Sequence, residues 1–424
     1  MPRIVGVDVP NDKPAWIALT YIHGIGRFVA RKILEEAQVD GMVRAGKLNE
    51  DEVSRISQII DRDHEVEGQL RRRVSQNISR LKDIIELSEQ DLIQWLDRLN
   101  ITPYRAGQIK EWIYMHQSDR FSDMTNLSKD LRELLTEHFT IDRLRIKTVQ
   151  TSCDGSRKYL FELRDLNLIE SVLIPEKNHY TLCVSSQVGC AQGCRFCRTA
   201  QNGLIRNLTR GEIIAQVRDL IQQVDSDPHG SLPLTNIVFM GMGEPLANYK
   251  NLVSALQTLT GNNNGLRISS RRITVSTAGL VPKLAALGHE TPVNPAISLN
   301  ATDNESRSFL MPINRKYPIE ELLEACRTYP LRSHGMMTIE YILIKGINDS
   351  QDHADRLSQL LKPIRAKINL IPFNEFEGSE FKRPDESVIL NFQKILLDKN
   401  YTVIIRQSKG ADISAACGQL RCKV

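Results

Sequence analysis

From about residue 155 almost to its end, the chain alternates short β-rich runs with amphipathic segments of helical period. This alternation constrains the fold more than any other feature. Runs over 158–163, 168–174 and 180–185 lead into it. The strands predicted next cover 236–240, 272–276, 296–299, 338–344 and 367–371. The helices predicted between and after them lie near 210–224, 249–260, 280–288, 318–328, 350–362 and 385–397.

A chain that alternates in this way forms right-handed crossovers, so we expect a parallel, curved sheet with helices outside it. A closed barrel of this kind needs eight repeats, whereas about six are visible here. We therefore predict an α/β protein in which residues 151–424 form a partial (β/α)6 barrel. The open side of such a barrel can admit a large substrate.

The first 150 residues carry helical patterns instead and are expected to form two small all-α domains, 1–85 and 86–150. Helices are predicted over 26–37, about 50–62 and 66–84, with a capping box at Asn49 and Glu52 and another at Ser88 and Asp91. Trp112 and Tyr114 continue an apolar helix face in the second domain. We interpret them as core residues rather than base-stacking platforms.

The chain has 424 residues, of which 41% are hydrophobic and 25% charged, as is typical of a soluble globular protein of more than one domain. No signal-like segment opens it, and no run approaches the roughly 20 apolar residues that cross a bilayer. We therefore expect a cytoplasmic protein. Its eight cysteines are then expected to be metal ligands, catalytic thiols or packing groups rather than structural disulfides.

Cys190, Cys194 and Cys197 form the most specific motif, a C-x3-C-x2-C loop at the end of a predicted strand. Their thiolates can turn toward one centre, and thiolate is the ligand that iron-sulfur clusters require. Zinc is the structural alternative, but a closed zinc site takes four ligands and no fourth lies nearby. Three ligands leave one iron open to a substrate.

This loop, followed by strands and helices, resembles the radical S-adenosylmethionine (SAM) superfamily. The resemblance implies a [4Fe-4S] cluster whose open iron binds SAM, and cleavage of SAM by one electron to methionine and a 5'-deoxyadenosyl radical. The run 241–245, Gly-Met-Gly-Glu-Pro, is similar to the family motif that holds the amino group of SAM, with Glu244 accepting from the ammonium.

Further runs resemble the RNA methyltransferases of the RlmN and Cfr type; they are 182–190, 206–208, 311–315, 369–374 and 412–420. The similarity covers residues 86–422 and makes 86–150 an accessory RNA-binding domain. It implies methylation of adenine C2 in 23S rRNA and in tRNA, with two SAM consumed per methyl group. An external one-electron donor such as a flavodoxin-type reductase system is implied as well. The alternative within the family is C8 methylation of Cfr type with the same cysteines.

The resemblance also implies the catalytic residues. Cys417 takes a methyl group from one SAM, and the methyl, activated by a radical from a second SAM, bonds to the adenine. Glu170 accepts the C2 proton, although an isolated Glu in a strand would otherwise be read as a half-exposed surface carboxylate. Cys183 attacks the sulfur of Cys417, so that a transient disulfide frees the RNA. Since that attack needs a thiolate, we predict a lowered pKa for Cys183 and a solvent path to it.

For SAM, the matching positions are Gly243, Glu244, Ser276, Ser298, Leu299, Asn300 and Asn374. Asn300 replaces the His usual in the family but can still donate one hydrogen bond. The remaining cysteines, Cys153, Cys326 and Cys422, match nothing catalytic and are expected to be buried or incidental thiols.

Residues 2–8, 18–26 and 66–72 resemble the N-terminal part of the small-subunit ribosomal protein S-thirteen family, without its basic C-terminal tail. A turn at Gly24 and Gly26 precedes a helix, a geometry that suits a phosphate but also an ordinary connection. The net charge of +4 permits nucleic-acid binding without proving it. Arginines cluster at positions 71, 72, 73 and 80 and at 267, 271 and 272, either as solvated faces or as RNA contacts. Residues 1–85 can thus be an RNA-docking module, or the chain a ribosome-associated binding protein with a remnant barrel.

Overall fold

The computed structural model of the chain describes residues 3–64, 66, 82–201, 203–226, 232–262, 264–333 and 335–421. The chain divides into two compact units, Met1–Lys82 with Leu134–Thr140 and Asp83–Glu133 with Ile141–Val424. Most of the helix predicted over 66–84 lies outside the described residues, as do Arg71, Arg72, Arg73, Arg80 and Cys422. Its last residues are described and are not α-helical, because Lys82–Asp83 forms a short strand.

The first unit packs short elements around an apolar core. They are the antiparallel strands β1 (Arg3–Ile4) and β2 (Val7–Asp8) and the helices α1 (Ala15–Ala18), α2 (Arg27–Glu36) and α3 (Glu50–Asp63). The predicted capping box is confirmed, because the side chains of Asn49 and Glu52 each accept the other's backbone N–H at 2.8 Å. The buried core includes Ile4, Leu19, Ile22, Ile33, Leu34, Ile56 and Ile60.

Residues 82–140 contain β3 (Lys82–Asp83), α4 (Glu89–Asp97), α5 (Tyr104–Tyr114), α6 (Lys129–His138) and β4 (Phe139–Thr140). The second predicted capping box, at Ser88 and Asp91, opens α4. Tyr114 is buried. Trp112 is half-buried and donates from Nε1 to the side chain of Asn126 at 2.7 Å. Both aromatics therefore belong to the packing of this helical region, as predicted.

A ten-stranded sheet dominates the second unit, with strand order β16-β15-β14-β13-β12-β11-β8-β7-β6-β5. Its first strands, which pair antiparallel, are β5 (Arg145–Thr151), β6 (Arg157–Glu162), β7 (Leu168–Pro175) and β8 (Tyr180–Cys183). From β8 onward the pairing is parallel, through β11 (Leu234–Phe239), β12 (Ile273–Thr277), β13 (Asn294–Ser298), β14 (Met337–Leu343), β15 (Ala366–Pro372) and β16 (Thr402–Ile405).

A separate ribbon pairs β9 (Gln187–Gly189) with β10 (Leu204–Asn207). The helices of this unit after β9 are α7 (Arg198–Gln201), α8 (Arg210–Asp225), α9 (Tyr249–Thr260), α10 (Val281–Glu290), α11 (Asn304–Leu310), α12 (Ile319–Arg327), α13 (Gln351–Leu361) and α14 (Glu386–Asp398). Short 3-10 turns lie at Leu19–Tyr21, Ala45–Lys47, Ile84–Glu86, Phe121–Asp123, Pro245–Asn248, Ser270–Arg272, Pro312–Arg315 and Ala411–Ile413.

The predicted α/β class and the alternation of strands and helices are confirmed, with several differences in detail. The prediction missed the edge strands β5 and β16 and the ribbon of β9 and β10. The sequence of β5 is mostly polar, so its hydrophobic signal is weak, whereas β16 is apolar but only four residues long. Because β5 begins at Arg145, the helical pattern expected over 86–150 ends before that residue.

The two faces of the parallel sheet differ sharply in chemistry. The register aligns Ile297, Ile339, Ile368 and Val403 in one row across four strands, and all four are buried. Tyr341, on the same face as Ile339, stacks on Phe392 of α14 with ring centroids 5.5 Å apart. The adjacent row, Ser298, Glu340, Asn369 and Ile404, points to the opposite face and is largely polar. Helices cover the apolar face, and the polar face holds the site.

Candidate active site

The cysteine loop follows β9 and is folded tightly by glycine. A Cβ at Gly189 would lie 2.0 Å from the carbonyl oxygen of Gly203, and the N–H of Cys190 donates to that oxygen at 2.8 Å. The three cysteines Cys190, Cys194 and Cys197 line one cavity of about 150 Å³. Burial, together with the neighbouring thiols, raises the pKa of Cys190 to about 12 and that of Cys194 well above its usual value.

Neutral buried thiols of this kind become ligands once a cation replaces their protons. Among the described residues, no group of three or more His, Cys, Asp or Glu side chains could hold a metal ion by itself. A cluster of several irons takes one thiolate per iron, so its ligands need not converge on one ion. Three thiols on one loop around one cavity therefore fit an iron-sulfur cluster.

Glu244 lies in the same cavity and is buried. Its carboxylate accepts the backbone N–H groups of Ala278 at 2.8 Å and Leu246 at 3.1 Å, which fix its orientation. Burial raises the pKa of Glu244 because it disfavours the carboxylate. A cationic group of a ligand in the cavity would oppose this effect and favour the charged form. At Gly243 the backbone has φ of 97°, and a Cβ there would meet the side chain of Gln187 at 2.5 Å. These features suit the ammonium of SAM.

Ser276 and Ser298 end their strands on the polar face and line the same cavity. Their hydroxyls donate to Oε2 of Glu340 at 2.6 Å and 3.2 Å. Asn300 also lines the cavity, but its side-chain oxygen accepts the N–H of Ile342 at 2.9 Å and so supports the fold. Leu299 is fully buried and is not among the lining residues.

A second cavity of about 420 Å³ brings together the two thiols predicted to act in catalysis. Cys183 and Cys417 both line it, with Asn374 and Arg406. The side-chain NH2 group of Asn374 donates to the carbonyl of Cys417 at 3.1 Å. Cys417 also borders the cluster cavity, so it stands between the two spaces. Both cysteines are free thiols in this structure.

The predicted lowering of the pKa of Cys183 is wrong for this structure. Cys183 is buried, and burial raises the pKa of its thiol to about 12, while the nearby guanidinium of Arg406 opposes the shift. Burial outweighs the single cation because the thiolate loses its water shell. Cys183 lines a cavity, and the solvent path to it stays a prediction.

Glu170 lines a third cavity, of about 560 Å³, and is only 4% exposed. It is therefore not a surface carboxylate. Its Oε1 lies 3.4 Å from Nζ of the buried Lys158, and its Oε2 accepts the N–H of Arg421 at 2.8 Å. Register explains this placement, since Lys158, Val172 and Cys183 pair in one row and Glu170 lies two residues from Val172 on the same face.

The loop that carries Cys417 is tied to the edge hairpin of β5 and β6. Asp412 accepts from the hydroxyl of Ser152 at 2.5 Å and from the N–H of Cys153 at 3.1 Å. Asp154 accepts the N–H of Gly410 at 2.8 Å. No motif in the sequence marks these contacts, nor those of Lys158, Arg406 and Glu340, because they depend on the register of strands far apart in the chain.

The other singled-out residues lie apart from these cavities. Cys326 is buried, whereas Cys153 is exposed. Arg267, Arg271 and Arg272 are all exposed, which is compatible with either interpretation of that cluster. Within the described part of the chain, no helix has the length and apolar character needed to span a membrane.

Three family models match the chain. "Radical SAM superfamily" matches residues 184–357, "Ribosomal RNA large subunit methyltransferase N-terminal domain" matches 82–141, and "Ribosomal protein S13/S18" matches 3–87. The first match contains the cysteine loop and the strands that line its cavity. The last agrees with the resemblance seen at the N-terminus.

Individual proteins match over most of the chain. The dual-specificity RNA methyltransferase RlmN of Desulfosudis oleivorans is 56% identical over 343 residues, 81% of this chain and 91% of that protein. That of Geobacter sulfurreducens is 52% identical over 342 residues, 81% of this chain and 92% of that protein. The crystal structure of a radical SAM methyltransferase from Sphaerobacter thermophilus superimposes with a TM-score of 0.75 at 41% identity, covering 80% of this chain and 99% of that one.

The cysteine loop, the buried glutamate beside it and these matches agree, and the family implies the [4Fe-4S] cluster and SAM that the cavity fits. The chain belongs to the RlmN family of dual-specificity RNA methyltransferases, within the radical SAM superfamily.

Proposed function

We propose that this protein methylates C2 of an adenine in 23S rRNA and in tRNA, in the cytoplasm, and consumes two SAM per methyl group. The observation that carries the proposal is the position of Cys417, which borders both the cluster cavity and the cavity of Cys183. One thiol there can receive a methyl group on one side and be resolved by a second thiol on the other. The high identity to RlmN relatives supports the substrate class.

The bound cluster and SAM supply a methyl group and the one-electron chemistry that activates it. Cys190, Cys194 and Cys197 would hold the cluster, and Glu244, Gly243, Ser276 and Ser298, which line the same cavity, would hold SAM. Backbone atoms of Leu299 and Asn300 and the side chain of Asn374 are the further contacts that the family motif suggests. Electrons would come from an external donor such as a flavodoxin-type reductase system.

Cys417 carries the methyl carbon on its sulfur. That carbon forms the bond to adenine C2. Release then needs two partners from this chain. Glu170 takes the C2 proton onto its carboxylate, and Cys183 attacks the sulfur of Cys417. That attack forms a disulfide and breaks the bond between sulfur and the methyl carbon, which leaves with the bonding electron pair and takes up a proton to complete the methyl group. The external electron donor must then supply two electrons to reduce the disulfide before another turnover.

The surroundings of Glu170 suit a base. Nζ of Lys158 and the N–H of Arg421 each lie beside one carboxylate oxygen, so the carboxylate of Glu170 is held in a fixed position. Arg406 faces both thiols across their cavity and favours their thiolate forms. Because burial still keeps Cys183 protonated, the proton of its thiol must leave as the attack proceeds.

The parts before the barrel are proposed to bind RNA. Residues 86–150 would be an accessory RNA-binding domain, and residues 1–85 a docking module that contributes affinity for ribosomal RNA. The matches to a methyltransferase N-terminal domain and to a ribosomal protein support these roles. If 1–85 docks RNA, its deletion should weaken RNA binding, with a change in the slope of affinity against salt concentration.

The test is methylation by the purified protein after anaerobic reconstitution. It should bind a cluster, cleave SAM and convert adenosine in 23S rRNA and tRNA to 2-methyladenosine, identified by mass analysis of the nucleosides. If 8-methyladenosine formed instead, the methylated carbon would be C8, as in the reaction of Cfr type. A protein with no cluster and no SAM cleavage would contradict the proposal and favour a ribosome-associated role.

A further inference from the structure

Gln419 lines the cavity of Glu170, and its side-chain oxygen has no hydrogen-bond partner among the described residues. Its side chain is 5% exposed and lines that cavity. Its amide nitrogen donates to the backbone oxygen of Glu375 at 2.9 Å, which fixes which end of the amide is oxygen. The oxygen, Oε1, is buried and has no hydrogen-bond partner among the described residues. A buried acceptor left unpaired is costly, so it indicates a missing partner.

The same cavity holds a complementary donor. Nε of Arg198 is buried, and no described residue accepts from it. The guanidinium carbon of Arg198 lies 5.8 Å from the ring centroid of Phe376, another lining residue. Among its lining residues, the cavity thus has an unpaired acceptor, an unpaired donor and an aromatic ring, in addition to Glu170. Its volume of about 560 Å³ is that of a small-molecule site.

Gln419 also belongs to the chain segment that joins the thiol to the residue bonded to the base. Gln419 is two residues after Cys417, and two residues further Arg421 donates its N–H to Glu170. The backbone N–H of Arg198 donates to the carbonyl oxygen of Gly418 at 2.7 Å, so the backbone that carries this donor is fixed to the same loop. A ring that met both orphaned groups would lie beside the base and the loop of the methyl-carrying thiol.

We infer that this cavity reads the target adenine, with Gln419 Oε1 accepting from the exocyclic amino group and Arg198 Nε donating to a ring nitrogen. The inference rests on the proposed function and names how that site selects its base. Adenine presents an amino donor beside a ring acceptor, which is the complement of the two orphaned groups. Guanine presents a carbonyl oxygen where adenine has the amino group and would face Gln419 with a second acceptor. Enzymes that modify a base commonly read it in this way after flipping it from the stack.

The experiment compares two synthetic RNAs that differ only at the target nucleotide, one with adenosine and one with purine riboside, which lacks the amino group. The rate of methyl transfer is measured for the wild-type holoenzyme and for Gln419→Leu. For the wild type, purine riboside should react roughly 10- to 100-fold more slowly, because Gln419 then stays unpaired. For Gln419→Leu, the ratio of the two rates should fall to about one, because the variant has no acceptor to leave unpaired.

The ratio within each protein cancels the different intrinsic reactivity of the two rings. Gln359→Leu is the matched control, because Gln359 is exposed on α13 and lines none of these cavities, and its ratio should equal that of the wild type. If Gln419→Leu does not fold or load a cluster, Gln419→Met, which keeps the length of the side chain, is measured instead.

An unchanged ratio in the Gln419 variant would overturn the inference while leaving the methyltransferase activity established. A wild-type protein that methylates neither RNA would instead contradict the proposed function itself. Binding of the two RNAs to the holoenzyme without SAM gives an independent readout, in which the wild type should prefer adenosine and Gln419→Leu should not.

Discussion

The two faces of the parallel sheet are built from neighbouring residues of the same strands, but one face stabilises the fold and the other lines the cavities. In β14, Ile339 is fully buried in a row of branched aliphatic residues, and Glu340 beside it accepts hydrogen bonds from two serines. The first face stabilises the fold by burying apolar area against helices. The second holds polar groups that border cavities, a costly arrangement unless ligands bind there. Adjacent residues of one strand therefore contribute separately, one to fold stability and the next to the site.

The largest expected effect is on the polar side, at Cys417. Cys417→Ala should lower methyl transfer by at least roughly 10³-fold, because the group that carries the methyl carbon is gone. The iron content and visible absorbance of the protein should remain. The matched control is Cys326→Ala, which removes a buried thiol away from the cavities, and that variant should keep its activity. Normal methyl transfer by Cys417→Ala would contradict this division of roles between the two faces of the sheet.

On the apolar side, Ile339→Ala should lower the free energy of unfolding by about 2–5 kcal/mol, since it leaves a cavity in the core. Urea unfolding followed by circular dichroism measures this loss. The folded fraction should retain the KM for SAM of the wild type. A large change of KM with unchanged stability would show that the apolar face also takes part in binding.

The smallest effect is expected at the adjacent residue. Glu340→Gln removes the charge that Ser276 and Ser298 bond to, so the KM for SAM should rise roughly tenfold as the two hydroxyls lose their fixed direction. Its free energy of unfolding should stay within about 1 kcal/mol of the wild type. An unchanged KM would mean that this carboxylate only supports the sheet.

Much of the fold could be predicted from the sequence, because most strands and helices of the second unit carry a local pattern of apolar residues. The cysteine loop could be predicted for a similar reason, as its three ligands lie within eight residues, from Cys190 to Cys197. The capping boxes at Asn49 and Ser88 are equally local. Signals that span a few residues survive in a single sequence.

What could not be predicted depends on register and burial. Lys158 meets Glu170 only because β6 and β7 pair with Leu160 opposite Glu170. The orphaned oxygen of Gln419 is visible only once the partner of its amide nitrogen is known. The pKa of Cys183 was predicted in the wrong direction because the need for a thiolate says nothing about how deeply the thiol is buried.

The central claim is that Cys417 bonds to RNA on the polar side and that Cys183 resolves that bond. The direct measurement is gel analysis of a Cys183→Ala reaction with labelled RNA, followed by mass spectrometry of the attached peptide. We expect RNA to stay covalently bound to Cys417, because the thiol that attacks its sulfur is missing. Normal turnover by Cys183→Ala, or RNA attached at a different residue, would contradict this account.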